Sequence, residues 1–74
     1  MNINNILFDI CQDEHVYNDD FDLIESGVMD SYALIELFSF FEDNNIFIDQ
    51  SKLNIENLRT PEKIKELIYE KTTN

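Results

Sequence analysis

At 74 residues the chain is long enough for one small domain, residues 1–74, and its 43% hydrophobic content with six Phe can build a compact core. A single Gly and a single Pro argue against an all-β fold, which needs many turns. A net charge of −11 argues against nucleic acid and anionic membranes as partners, because both carry charge of the same sign.

The charge is unevenly distributed along the chain. Residues 1–50 hold twelve acidic residues and no Lys or Arg, whereas all five basic residues stand in residues 51–74. This asymmetry would speed encounter with basic patches on other proteins, or it would only keep the surface solvated. The lone cysteine, Cys11, cannot form an internal disulfide and fits a reducing, cytoplasmic location. No apolar run is long enough to suggest membrane insertion.

The first element predicted along the chain is an amphipathic helix, followed by a long loop. Ile3, Ile6, Leu7 and Ile10 follow the spacing i, i+3, i+4, i+7 of a helix with one apolar face. Cys11 extends this stripe without a positive charge nearby to activate its thiol, so we expect a small core residue. Residues 13–29 lack a helical period, and we expect this loop to be held by the apolar residues Phe21, Leu23, Ile24 and Val28.

The strongest helical pattern follows and predicts a second helix from Ser31 to Asn44. Either Asp30 or Ser31 can cap its first turn, since the side-chain oxygen of each can accept a hydrogen bond from an exposed backbone N–H. Helical spacing gives this segment a core-facing stripe of Leu34, Leu37, Phe38 and Phe41.

The remainder of the chain predicts a short helix and a longer one. Ile46-Phe47-Ile48 is expected to be an apolar linker tucked into the core rather than a strand. Residues 51–58 predict a short helix that faces inward through Leu53, Ile55 and Leu58. Thr60-Pro61 marks the start of the last helix, whose apolar stripe is Ile64, Leu67 and Ile68. Three main helices plus one short helix predict an all-α fold, a small four-helix bundle.

Few residues qualify as a functional site. His15 has no Cys or second His at the spacing of a metal site, so we expect an ordinary surface residue. The alternating polar residues 18–22 lack the glycine and the glutamate of a calcium-binding loop, and one glycine is too few for a phosphate-cradling loop. There remains Ser31, because a helix start favours a bound phosphate, although a serine there more often only caps the helix.

The residues around Ser31 resemble a known signature. The stretch Gly27-Val28-Met29-Asp30-Ser31, followed one turn later by Glu36-Leu37, is similar to acyl carrier proteins and peptidyl carrier domains, and so is the turn at residues 57–61. The resemblance implies an acyl-carrier-like bundle, a monomer without catalytic activity. A phosphopantetheinyl transferase would attach 4′-phosphopantetheine from coenzyme A to Ser31, beside Asp30. The thiol of this arm would hold cargo as a thioester for partner enzymes.

The same resemblance implies a docking surface on the second helix for basic patches of adenylating, acyl-loading and acyl-transferring enzymes. Its residues would be Tyr32, Ile35, Glu36, Glu42 and Asp43. The sequence departs from the usual pattern where Tyr32 replaces leucine and where Ser39 replaces an apolar contact residue. These departures argue against a role in housekeeping fatty acid synthesis.

Two further features of the sequence concern the cargo. The loop before Ser31 and the start of the last helix also resemble D-alanine carriers of cell-wall teichoic acid modification. Phe38, Phe40 and Phe41 suggest bulky core filling rather than space for a long chain, which favours short or amino-acid cargo held outside the bundle. A different class also remains open, in which the protein is an unmodified acidic interaction module and Ser31 merely caps a helix.

Overall fold

Helices account for all the regular secondary structure in the described part of the chain. The computed structural model describes residues 1–72, with side chains described as far as Tyr69. Over that range it contains the α-helices α1 (Ile3–Cys11), α2 (Ser31–Asp43), α3 (Ile55–Leu58) and α4 (Pro61–Thr72), and no β-strand. The predicted all-α fold is confirmed. Across the same residues, no helix is both long enough and apolar enough to cross a membrane.

Helix α1 is defined at both ends by local hydrogen bonds. The side chain of Asn2 accepts a hydrogen bond from the backbone N–H of Asn5 at 3.1 Å, which caps the first turn. The helix ends where Gln12 takes a left-handed conformation, with φ of 55°, and donates its N–H to the Phe8 carbonyl. Ile3 and Leu7 are buried, and α1 packs against α2, α4 and the 3-10 turn Glu14–Tyr17.

Helix α2 carries the predicted apolar stripe, but its most deeply buried residues lie nearer α1 than predicted. Leu37 and Phe41 are buried as expected, and Ala33 is buried with them. Leu34 and Phe38 are only half-buried. The helix ends at Asp43, one residue earlier than predicted, because the chain turns through Asn44 and the left-handed residue Asn45. The stripe therefore contacts the core as predicted, and its most deeply buried residues are Ala33, Leu37 and Phe41.

The segment between α2 and α4 corrects three predictions. Phe47 was expected in the core but is 69% exposed, and the neighbouring Ile46 takes the buried position instead. The helix expected over residues 51–58 divides into a 3-10 turn, Gln50–Lys52, and α3. This break occurs where the Asn54 side chain caps a new helix at Asn57 N–H, so Ile55 starts a helix and is 59% exposed instead of inward.

One core joins all four helices to the long loop. Its loop members are Val16 and Leu23, both fully buried, and Met29 directly before the α2 cap. The remaining buried apolar side chains come from the helices and from the linker before α3, and are Ile3, Leu7, Ala33, Leu37, Phe41, Ile46, Leu58, Pro61, Ile64, Leu67 and Ile68. The predicted stripe of the last helix is thus confirmed. Phe21, Ile24 and Val28 pack against this core while half-buried, as the predicted loop contacts require.

Gly27 gives the loop a backbone conformation that other residues adopt only with strain. Its φ is +80°, and a Cβ built there meets nothing within 4 Å. Any cost of a side chain at this position is therefore a cost of backbone conformation rather than of collision.

We expect Gly27→Ala to lower the free energy of unfolding by about 1 kcal/mol, because alanine pays a steric penalty at positive φ. The measurement is urea unfolding followed by circular dichroism. Gln12→Gly is the matched comparison, since it introduces glycine where the chain already has positive φ, and it should stabilise or leave stability unchanged. Equal stability of Gly27→Ala and the unmodified sequence would contradict this account.

Candidate functional site

Ser31 lies at the start of α2 with its hydroxyl free. Asp30, not Ser31, caps the helix, since its Oδ1 accepts a hydrogen bond from the Ala33 N–H at 2.9 Å. Ser31 is exposed, and within the described residues its hydroxyl makes no hydrogen bond. Of the two caps that the sequence left open, the structure selects the aspartate. The serine oxygen therefore remains accessible to an enzyme.

The backbone that leads to Ser31 is held through one buried leucine. The N–H of Leu23 donates to the Arg59 carbonyl at 2.7 Å, and the Leu23 carbonyl accepts from the Met29 N–H at 2.8 Å. These two bonds connect the α3–α4 junction, the loop and the residue preceding Asp30. Between them, a turn closes through the hydrogen bond from Gly27 N–H to the Ile24 carbonyl at 3.1 Å. The start of α2 is thus attached to the junction between α3 and α4.

Arg59 reinforces this attachment with its side chain. Its Nη1 lies 2.9 Å from Asp22 Oδ2 and its Nε lies 3.1 Å from Glu56 Oε1, so one guanidinium joins the loop to α3. Glu25 approaches the same guanidinium at 3.8 Å. The backbone N–H of Glu25 and the guanidinium together hold the pKa of Asp22 below its usual range, and Asp22 raises the pKa of Arg59. The ion pair of Asp22 and Arg59 therefore persists at neutral pH.

A second contact holds the earlier part of the loop. Lys65 on α4 donates to Asp19 at 2.8 and 3.0 Å, and Asn4 on α1 donates to the same carboxylate at 3.0 Å. These donors lower the pKa of Asp19, with the hydrogen bond from Lys65 as the largest cause. The loop is therefore fastened to both terminal helices.

The five residues expected to form a docking surface are all exposed on α2, along two edges. Tyr32 and Ile35 are 75% and 65% exposed, so this surface of α2 presents two large side chains with apolar area to solvent. Ile35 and Glu42 are seven residues apart and share one edge of the helix, whereas Glu36 and Asp43 share the edge nearer α1. The structure thus brings the predicted residues onto one helix surface but separates them into two rows.

A groove runs beside the second of these rows. We call it the α1–α2 groove; it has a volume of about 430 Å³ and is lined by Ile6, Asp9, Ile10, Glu36, Ser39, Phe40 and Asp43. A smaller cavity of about 260 Å³ lies at the Ser31 end of α2, lined by Ile10, Cys11, Val28, Asp30, Tyr32, Ala33 and Glu36. The two share Ile10 and Glu36, so the concave surface continues from the groove to the residues that flank Ser31.

The residues at the helix start fit a covalently attached phosphopantetheine. Attachment through a phosphodiester requires an accessible hydroxyl, which Ser31 supplies, and space beside it, which the 260 Å³ cavity supplies. The first backbone N–H groups of a helix lack partners within the helix and carry partial positive charge, which suits a phosphate. The adjacent Asp30 carboxylate is already committed to the Ala33 N–H.

Comparison with known proteins agrees with this arrangement. A D-alanyl carrier protein of Bacillus licheniformis is 33% identical over 67 residues, which cover 88% of this chain and 86% of that protein. The chain belongs to the carrier protein family. No family model matches the sequence, and no solved structure matches it. The role of this protein is accordingly that of a carrier, and a carrier protein works with partner enzymes.

Cysteine and histidine often mark chemical sites, and the carrier protein has one of each, Cys11 and His15. Cys11 is half-buried and packs against the core, and burial raises the pKa of its thiol, which nearby Asp30, Asp13 and Glu36 raise further. Cys11 thus packs against the core as expected, although it stays half-buried. His15 is exposed and lies 2.7 Å from Asp13, stacked on Phe21. No group of metal-ligating side chains occurs among the residues the structure describes.

Sequence reasoning missed the contribution of α1 to the surface near Ser31. It assigned Ile6 and Ile10 to the core, whereas both remain half-buried and line the α1–α2 groove with Asp9 and Phe40. Periodicity identifies the apolar side of a helix but not where the packing of two helices leaves that side open. The one signal in the sequence for exposed surface on this side of α1 is the acidic Asp9 at the edge of the apolar stripe.

The pairing of Asp22 predicts a specific acid sensitivity. Because its pKa is lower in the folded state, the interaction stabilises the protein above the unfolded pKa of about 3.9 and is lost as pH falls through the folded value. We expect Asp22→Asn to destabilise the carrier at neutral pH and to lessen its further loss of stability on acidification. Urea unfolding from neutral pH down to about pH 3 measures both effects.

Asp20→Asn is the control for that experiment, because it removes one nearby negative charge that Arg59 does not contact. The two variants should differ in their acid response. If Asp20→Asn and Asp22→Asn give the same dependence of unfolding free energy on pH, the pairing with Arg59 does not determine the acid sensitivity.

Proposed function

We propose that the protein is an acyl or aminoacyl carrier whose cargo is held as a thioester on a 4′-phosphopantetheine arm attached to Ser31. The observation that carries the proposal is the free, exposed hydroxyl of Ser31 directly after an aspartate that performs the capping. In the competing interaction module, Ser31 would be the cap, and the Asp30–Ala33 hydrogen bond argues against that. The carrier would contribute no catalytic group; its chain presents and positions the cargo.

In this proposal the residues around Ser31 each have a mechanical role. A phosphopantetheinyl transferase would move the group from coenzyme A to the Ser31 oxygen. Asp30 fixes the first turn of α2, and the Leu23 hydrogen bonds hold the preceding loop, so the serine is presented in one orientation. Tyr32, Ile35, Glu36, Glu42 and Asp43 would meet an apolar contact rimmed by Lys and Arg on the loading and transferring enzymes.

Amino-acid cargo is the form of the proposal that the comparison favours. The B. licheniformis relative is named a D-alanyl carrier protein, which supports D-alanine as cargo, with cell-wall teichoic acid as the pathway suggested by resemblance. On α2, the Phe41 ring packs against Phe38 and Phe40 with centroids 6.4 and 6.1 Å apart. Rings in mutual contact occupy the volume that a long acyl chain would need, which supports short cargo held outside the bundle.

Attachment can be tested by intact mass after incubation with coenzyme A and a promiscuous phosphopantetheinyl transferase. We expect the addition of one phosphopantetheine group to the unmodified sequence and none to Ser31→Ala. Ser51→Ala is the control, because it removes an exposed hydroxyl from a position away from α2 and should leave modification intact. An unchanged mass with a transferase that modifies another carrier protein would refute the proposal.

Cargo location can be tested on the modified protein loaded with either D-alanine or a decanoyl chain. We expect neither cargo to shift the backbone amide NMR signals of the buried Leu37 and Phe41, because the Phe41 ring already packs against that of Phe38. Both cargoes should instead affect signals near Ser31. A decanoyl-specific shift of the core signals, with a rise in thermal stability, would mean that a long chain enters the bundle.

A further inference from the structure

We propose that the α1–α2 groove docks a segment of a partner protein in which one apolar side chain is flanked by Lys or Arg. The inference rests on the proposed docking role of Glu36 and Asp43 but not on modification of Ser31. It adds a contribution from α1, which the docking surface expected on α2 alone does not include. Three features of the groove support this partner: an apolar floor, an unpaired acidic rim and continuity with the attachment site.

The floor of the groove is apolar surface that the bundle leaves open. Ile6, Ile10 and Phe40 pack against the core on one side and are half-buried, so part of each side chain still faces the groove. At about 430 Å³ the space is at the low end of the size of pockets that hold small molecules, which suits one anchoring side chain rather than a whole helix face. The burial of that anchor supplies the apolar part of the contact.

The rim of the groove carries negative charge that the protein itself does not neutralise. Asp9, Glu36 and Asp43 are exposed, and none of them pairs with a basic side chain within the described residues. The loop carboxylates Asp19 and Asp22, by contrast, are paired with Lys65 and Arg59. A neutral partner would desolvate the rim carboxylates without compensation, whereas a basic segment supplies opposite charge on both sides of its anchor.

The position of the groove ties such a contact to the site at Ser31. Its lining shares Ile10 and Glu36 with the cavity that adjoins Asp30 and Tyr32. A partner segment seated in the groove would therefore lie along α2, with its nearer end at Glu36, one turn of the helix beyond Ser31 and its neighbours. The opposite edge, with Ile35 and Glu42, would remain free for a second contact by the same partner.

The test uses the unmodified full chain and two synthetic peptides. In the first peptide one leucine is flanked on each side by lysines, and in the second serine replaces that leucine. Amide NMR spectra recorded during titration should show saturable shifts at Ile10, Ser39 and Phe40 with the leucine peptide. The serine peptide should bind more weakly and produce no shift pattern centred on these residues. Shifts centred on residues 18–25, or on the Ile35 and Glu42 edge, would overturn the proposal.

Two pairs of variants separate local contacts from overall charge. Asp9→Asn combined with Asp43→Asn removes two rim carboxylates, whereas Glu14→Gln combined with Asp20→Asn removes the same charge from exposed positions outside the groove. We expect the rim pair to weaken leucine-peptide binding about fivefold and the control pair less than about twofold. Equal weakening would show that the peptide responds only to net charge and would overturn the groove as its site.

Ser39→Lys provides an independent check, because Ser39 is exposed and lines the groove between the carboxylates. A lysine there would neutralise the rim from within and repel a basic segment. We expect it to weaken leucine-peptide binding at least as much as the rim pair while urea unfolding stays close to that of the unmodified sequence. Unaltered binding by a folded Ser39→Lys protein would also overturn the proposal.

Discussion

The presentation of Ser31 depends on the two backbone hydrogen bonds made by Leu23. This residue is fully buried in a loop, where unpaired backbone groups would be costly, and its N–H and carbonyl are satisfied by Arg59 and Met29. The bonds tie the α3–α4 junction to the residue before the Asp30 cap. A long loop of polar composition is thereby given a fixed path, and α2 begins at one defined position on the core.

The few basic side chains of this acidic protein determine where its negative charge remains available. Arg59 and Lys65 pair with the loop carboxylates Asp22 and Asp19, so cations are used to hold the loop in place. The carboxylates of α2 and of Asp9 have no such partners within the described residues. The face that adjoins Ser31 therefore keeps carboxylates without a cation partner among the described residues, which suits the basic partners that we propose. The surface that adjoins Ser31 is thus also the one that carries the carboxylates of α2 and of Asp9.

At the start of α2 the capping is done by Asp30, which leaves the adjacent Ser31 available for the attachment that we propose. Asp30 accepts the hydrogen bond from the Ala33 N–H and completes the first turn. Ser31 is then released from capping, and its oxygen faces solvent. A serine that capped the helix would have its oxygen engaged with the backbone and held against the helix end. The Asp-Ser pair therefore has a physical reason in a carrier protein beyond its place in a signature.

The sequence by itself determined the helical class, the start of α2 near Ser31 and the buried stripe of α4, because these follow from periodicity and capping chemistry that act over a few residues. Tertiary structure alone decided that Asp30 is the cap, that Phe47 and Ile55 face solvent, and that α1 and α2 leave a groove between them. These features depend on which distant side chains compete for the same space, and local pattern carries no information about that competition.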